Sequence, residues 1–238
     1  MPKLLVYMEL EGRYQQIQNK LEELSDFSVD SLTRSRNLFH LETKQVIPRR
    51  FEVWTLVVGL PLPNQLTQNF QTLTQQISER FTANTRFYKV LPQNYHWELF
   101  IIKRPDEDVT EDCLRKTPDV LREVVCHQPC FRISYRGFLI TTDGTIIVKG
   151  YGEFDELRDR LRQKLPWASL QQSNLGHISL GRILDPVGYQ CFTELKDLVR
   201  TSENEVYGEL EVSDVKYIHE SQWYMEDREV VAVLPLRA

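Results

Sequence analysis

The sequence predicts an α/β (α+β) fold built as two similar lobes around a groove, and three observations carry that prediction. Stretches rich in β-branched and aromatic residues alternate with stretches whose apolar residues recur every three or four positions. From Phe51 onward this alternation runs twice in the same order: strand, helix, strand, helix, strand. Each pass has one histidine at the head of an apolar strand, "HWELFII" from His96 and "HISLGRIL" from His177.

The elements follow in order. Leu10, Tyr14, Ile17, Leu21 and Leu24 share one face of an N-terminal helix. The next stretch, "SDFSVDSLTRSRNLFHLETKQVIPRR", keeps no period, so residues 1–50 read as that helix and a long connection. The first lobe segment, about 51–140, opens with the strand "FEVWTLVVGL" and a helix carrying Leu66, Phe70, Leu73 and Ile77. After the His96 strand, Thr117 reads as an N-cap with Pro118 at the first helical position, ahead of the strand "CFRISYRGFLI". The turn "TTDG" is a hairpin signal and opens the second segment, about 141–238. There "TIIVKGY" precedes a helix with Phe154, Leu157, Leu161 and Leu165 on one face. The His177 strand, the helix "VGYQCFTELKDLVR" and the strands "YGELEVSDVKYI" and "VVAVLPL" complete it.

Composition narrows the function. The chain of 238 residues, 41% hydrophobic, is long enough to bury a sizeable core. A formal net charge of -5 argues against coating duplex DNA through its phosphates. No apolar run approaches the roughly 20 residues that span a bilayer, and the N-terminus lacks a secretory pattern. A cytoplasmic protein without a membrane partner is expected, its four cysteines reduced; "CHQPC" lacks the spacing of common zinc sites. No cofactor or metal is expected, and nothing in the sequence names a protein partner.

Residues two apart on a strand point to the same face. His177 therefore shares its face with Ser179, while Ile178 and Leu180 point into a core. In the same way His96 shares its face with Glu98, opposite Trp97 and Leu99. A groove holding two imidazoles and no metal-ligand cluster suits acid and base chemistry.

These residues carry a resemblance. "HISL" at His177 to Leu180 and "HWEL" at His96 to Leu99 resemble the paired motifs of the 2H phosphoesterase superfamily, which includes the 2′-5′ RNA ligase-like proteins. In that family each motif reads His, any residue, Thr or Ser, then an apolar residue. The resemblance runs from about Phe51 to the C-terminus and takes in "YRGF", "VKGYGEFDELRDRLRQKL" and "YMEDREVVAVLPL". It implies a duplicated two-lobed domain over 51–238, antiparallel sheets around a central cleft and helices outside. It also implies a metal-independent phosphodiesterase acting on a 2′,3′-cyclic phosphate or a 2′-5′ linked nucleotide or RNA end. His96 and His177 would be its acid and base, because an imidazole of pKa near 6.5 serves in either state. Ser179 would donate to a phosphate oxygen.

Glu98 departs from the pattern, since an ionised carboxylate cannot donate and repels phosphate. It is neutralised by an arginine, Arg136 being one candidate, or it holds His96 protonated, or it marks a lobe that binds without turnover. The last reading gives the alternative function, a nucleotide- or RNA-end-binding protein on the same fold. Tyr135, Arg136, Trp223 and Tyr224 are candidates for stacking on a base or pairing with phosphate. Arg182, five residues from His177, is placed on the opposite face. The arginines of "DELRDRLRQK" read as a solvated helix surface.

Overall fold

The expected helices form where their apolar residues repeat, and their buried sides are the ones the spacing selects: Leu66, Phe70, Leu73 and Ile77 on one, Leu157 and Leu161 on another. The computed structural model describes residues 2–42 and 45–237, with side chains from residue 8 onward. In chain order the elements are α1 (Pro2–Glu23), α2 (Val29–Arg36), β1 (Phe39–His40), β2 (Ile47–Pro48), β3 (Arg50–Val58), α3 (Asn64–Ser78), β4 (Phe87–Lys89) and β5 (Trp97–Lys103). Then follow α4 (Glu111–Val125), β6 (Phe131–Ile140), β7 (Thr145–Tyr151), α5 (Asp155–Lys164), β8 (Ile178–Ile183), α6 (Tyr189–Thr201), β9 (Val206–Val212), β10 (Asp214–Gln222) and β11 (Asp227–Pro235).

Two antiparallel sheets form the body. One has the order β11-β10-β3-β5 and the other β4-β8-β7-β6-β9. The first matches β9-β6-β7-β8 of the second, so the two sheets mirror one another, and β5 and β8 meet where they face. Sheet membership does not follow the two halves of the chain. β6, which the sequence placed in the first segment, pairs with β7 and β9, while β10 pairs back onto β3 and carries β11 on its other edge. The reason is the turn at Thr141 to Gly144. Gly144, at φ +81°, closes a tight hairpin, and a hairpin puts its two strands side by side in one sheet.

Residues 1–50 are built into this body. Tyr14 of α1 donates its hydroxyl proton to the carbonyl of Gly150 at 3.0 Å and accepts the N–H groups of Gly150 at 3.0 Å and Gly176 at 3.2 Å. Glycines are required there, because a Cβ on Gly150 would lie 1.9 Å from the carbonyl oxygen of Gly176. The connection after α1 holds a helix that its lack of period concealed. α2 starts at Ser28, whose hydroxyl accepts the N–H of Ser31 at 3.1 Å, with Asp30 in its first turn and Arg34 and Arg36 in its last.

α4 begins earlier than Thr117. Thr110 caps it by accepting the N–H of Cys113 at 3.3 Å, and Pro118 lies inside. The Thr117 hydroxyl donates instead to the carbonyl of Cys113 at 2.7 Å. All four cysteines are free thiols. Among the described residues, no helix is long and apolar enough to cross a membrane.

Candidate active site

His96 and His177 stand immediately before β5 and β8, the strands at which the two sheets meet. Alternation then runs as the sequence required: Trp97, Leu99, Ile178 and Leu180 are buried in the core, whereas His96, Glu98, His177 and Ser179 are half-buried and line one pocket of about 280 Å³. Glu220 and Tyr224 line it from β10 and the turn that follows. Arg34 and Leu38 from the N-terminal segment, with Arg104, Arg182 and Trp223, complete the wall.

Both motifs carry the same irregularity. Opposite Val57 and Leu56 stand Glu98 and Phe100, so Leu99 is an extra residue in β5. Opposite Ile147 and Ile146 stand Ser179 and Gly181, so Leu180 is extra in β8. A bulge reverses the alternation beyond it. That is why Arg182 lines the pocket with His177 and Ser179 instead of pointing away, correcting the placement that simple alternation gave. Arg182 donates to the hydroxyls of Tyr224 and, at 2.7 Å, of Ser35, and pairs with Asp143 at 3.2 Å.

Two of the sequence candidates fall outside the pocket. Tyr135 is fully buried, edge-on to Phe70 at 5.5 Å, and its hydroxyl has no partner among the described residues. Arg136 contacts Glu11 at 3.4 Å and lies 5.0 Å from the centre of the Tyr151 ring. The cause is α1, which covers that stretch of β6 and β7 and supplies Glu11 as the counter-charge. Arg136 is thus not the arginine beside Glu98; Arg104 and Arg158 are the cations that act on it. His219 stacks on Trp54 at 4.3 Å and faces Glu52 at 3.3 Å, on the face away from its neighbour Glu220.

Arg158 corrects the solvated reading of α5. It is 8% exposed, donating from Nε to the carbonyl of Leu99 at 2.9 Å and from Nη2 to that of Leu175 at 2.7 Å. Trp97 Nε1 donates to the same Leu175 carbonyl at 3.2 Å. One guanidinium therefore ties the first motif to the approach of the second from behind.

Burial sets the protonation states. The pKa of His96 is pushed down to about 4 by desolvation, and so is that of His177, with Arg158 adding to the second effect. Both imidazoles are neutral near pH 7. Nδ1 of His96 lies 2.7 Å from the carbonyl oxygen of Asn94, which can only accept, so Nδ1 carries the proton and Nε2 keeps its lone pair. Nδ1 of His177 is buried with no partner among the described residues. Desolvation raises the pKa of Glu98, and it pushes that of Glu220 up to about 8. Tyr224 and Met225 adopt left-handed backbone, φ 65° and 58°, which costs of order 1 kcal/mol or more at each non-glycine residue; Tyr224 lines the pocket and Met225 packs in a core cluster behind it.

Among the described residues no group of three or more His, Cys, Asp or Glu side chains is arranged to hold a metal ion. Sequence reasoning missed Glu220, Arg34, Leu38 and Arg104. Glu220 shares an ordinary-looking strand, "YIHESQ", in which His219 was the more conspicuous residue; the others lie on stretches whose position depends on tertiary packing.

No family model matches the chain, and no curated protein matches its sequence. Solved structures do match. TT0787 of Thermus thermophilus is 16% identical with a TM-score of 0.57, covering 78% of this chain and 98% of that one. LigT of E. coli in complex with 3′-AMP is 12% identical with a TM-score of 0.51, covering 80% of this chain and all of that one. A structure described as a phosphoesterase is 13% identical with a TM-score of 0.51, covering 79% and 99%. The chain thus shares the fold of these solved structures over most of its length.

Proposed function

We propose that the chain is a metal-independent phosphodiesterase acting on 2′,3′-cyclic phosphates or 2′-5′ linked nucleotide or RNA ends. The observation that carries this reading is the arrival of His96 and His177 in one pocket at mirrored, equally bulged strands. His96 takes the base role, because Nδ1–H is anchored on Asn94 and the proton-free nitrogen is then Nε2. It accepts a proton from the attacking water as the new P–O bond forms. The negative charge of the bound phosphodiester favours the imidazolium form of His177, which protonates the leaving ribose oxygen as the old P–O bond breaks. Ser179 donates to a non-bridging oxygen, and Arg104 and Arg182 supply positive potential. A pocket of about 280 Å³ suits a terminal phosphate and its sugar, not a duplex.

The test is incubation with 2′,3′-cyclic nucleotides and cyclic-phosphate-ended RNA in the presence of a chelator, read by mass for addition of water. Turnover that survives chelation and vanishes in His96→Ala and in His177→Ala supports the reading; full activity in either variant overturns it. Glu98 favours a second reading, binding without turnover, because it stands where the mirrored residue is Ser179. Saturable nucleotide binding without turnover supports that alternative, and a gain of turnover in Glu98→Thr identifies the carboxylate as the block.

A further inference from the structure

We infer that Glu220 acts as a neutral carboxylic acid, donating a hydrogen bond to a phosphate oxygen from the first sheet as Ser179 does from the second. This rests on the phosphodiesterase reading above, and it supplies the donor that the first motif lacks.

Geometry points to it. Glu220 is 5% exposed yet lines the pocket together with both histidines. Its Oε1 accepts the N–H of Met225 at 2.8 Å, which fixes the carboxyl; this bond and one from the backbone N–H of Tyr224 favour the ionised form, and burial outweighs both. Among the described residues it has no ion pair, and Glu98, the second carboxyl of the pocket, has none either. Burial and the neighbouring carboxyl of Glu98 both disfavour a negative charge on Glu220.

The neighbouring cations are already engaged. Arg228 of β11 donates to Asn94 Oδ1 at 2.7 Å and to the carbonyl of Met225, and Arg182 of β8 is held by Tyr224, Ser35 and Asp143. The other groups facing Glu220 are Glu98, Arg104 and the neutral His96 on the β5 side, Tyr88 of β4, Tyr224 of the turn and the neutral His177 before β8. Burial first, and then repulsion from Glu98, keeps the proton on Glu220, whose pKa of about 8 agrees with this state at neutral pH.

The probe is sulfate, whose charge is constant across the range, bound to the full chain and followed by calorimetry from about pH 7 to about pH 9. Loss of one proton with a pKa of about 8 lowers wild-type affinity about tenfold over that interval. Glu220→Gln keeps an acceptor for Met225 and a permanent N–H donor, so its affinity stays level. A level wild-type titration, the same loss in Glu220→Gln, or no sulfate binding at all overturns the inference. If the loss follows Glu220 while cyclic phosphates gain no water, the donor stands and the phosphodiesterase reading fails. Turnover with a level sulfate titration has the opposite meaning.

Discussion

Replacing Arg158 by methionine tests whether the two histidine motifs are held by one buried guanidinium. Methionine fills much of the space and can keep contact with the Trp97 and Phe154 rings, which lie 5.3 and 4.6 Å from the guanidinium carbon. What disappears is the pair of charge-assisted bonds to Leu99 and Leu175, together with the ion pair to Asp155 at 3.6 Å. The Leu175 carbonyl retains Trp97 Nε1, whereas that of Leu99 loses its side-chain donor. A buried polar group left unpaired costs about 1–3 kcal/mol, and a hydrogen bond to a charged group contributes about 1.5–3 kcal/mol. Against these stands the cost of burying the cation, which lowers the pKa of Arg158 to about 10 and offsets part of the loss. The expected net destabilisation is about 2–4 kcal/mol in urea unfolding at neutral pH. Arg158→Lys, unable to reach both carbonyls with one planar fork, falls between. Equal stability of wild type and Arg158→Met to within about 0.5 kcal/mol refutes the clamp.

Two further outcomes follow from the same geometry. The depressed pKa values of His96 and His177 mean that the unfolded chain binds protons there before the folded one does, so their contribution is present above about pH 6.5 and is lost as pH falls toward about 4. Unfolding followed across that window shows the decline, and His96→Ala and His177→Ala each flatten it; unchanged slopes in both contradict the assignment. Gly150→Ala drives a methyl against the Gly176 carbonyl beside His177, since the two backbones meet there, and costs more than about 3 kcal/mol or prevents folding. An alanine variant of wild-type stability shows that the Tyr14 junction is slack.

The parts of the molecule legible in the sequence were those fixed by local spacing. Alternation around His96 and His177 placed both imidazoles, Glu98 and Ser179 on the pocket side because a strand has a period of two. The same rule failed at Arg182, where the bulge at Leu180 shifts the phase by one residue. Gly181, at the bulge, was the available hint. Tyr135 and Arg136 had the right chemistry on the right kind of strand, but α1 covers them, and no local pattern announces which face a distant helix will occupy. α2 was hidden for a different reason: eight residues are too short to display a period, and only its Ser28 cap and charge polarity marked it. Glu220 reaches the pocket because β10 returns to the first sheet, a long-range pairing invisible in the stretch itself.

That return has a wider consequence. The chain runs from β3 in one sheet to β4 in the other, back to β5, on to β6, and after β9 back to β10. Neither sheet is a contiguous piece of polypeptide, so a fragment ending near residue 140 carries strands of both sheets and completes neither. The lobes are laced together by these crossings, which favours slow assembly through distant contacts. The separation of the two imidazoles is accordingly a property of the whole laced body, and changes far from the pocket that loosen a crossing will be felt there.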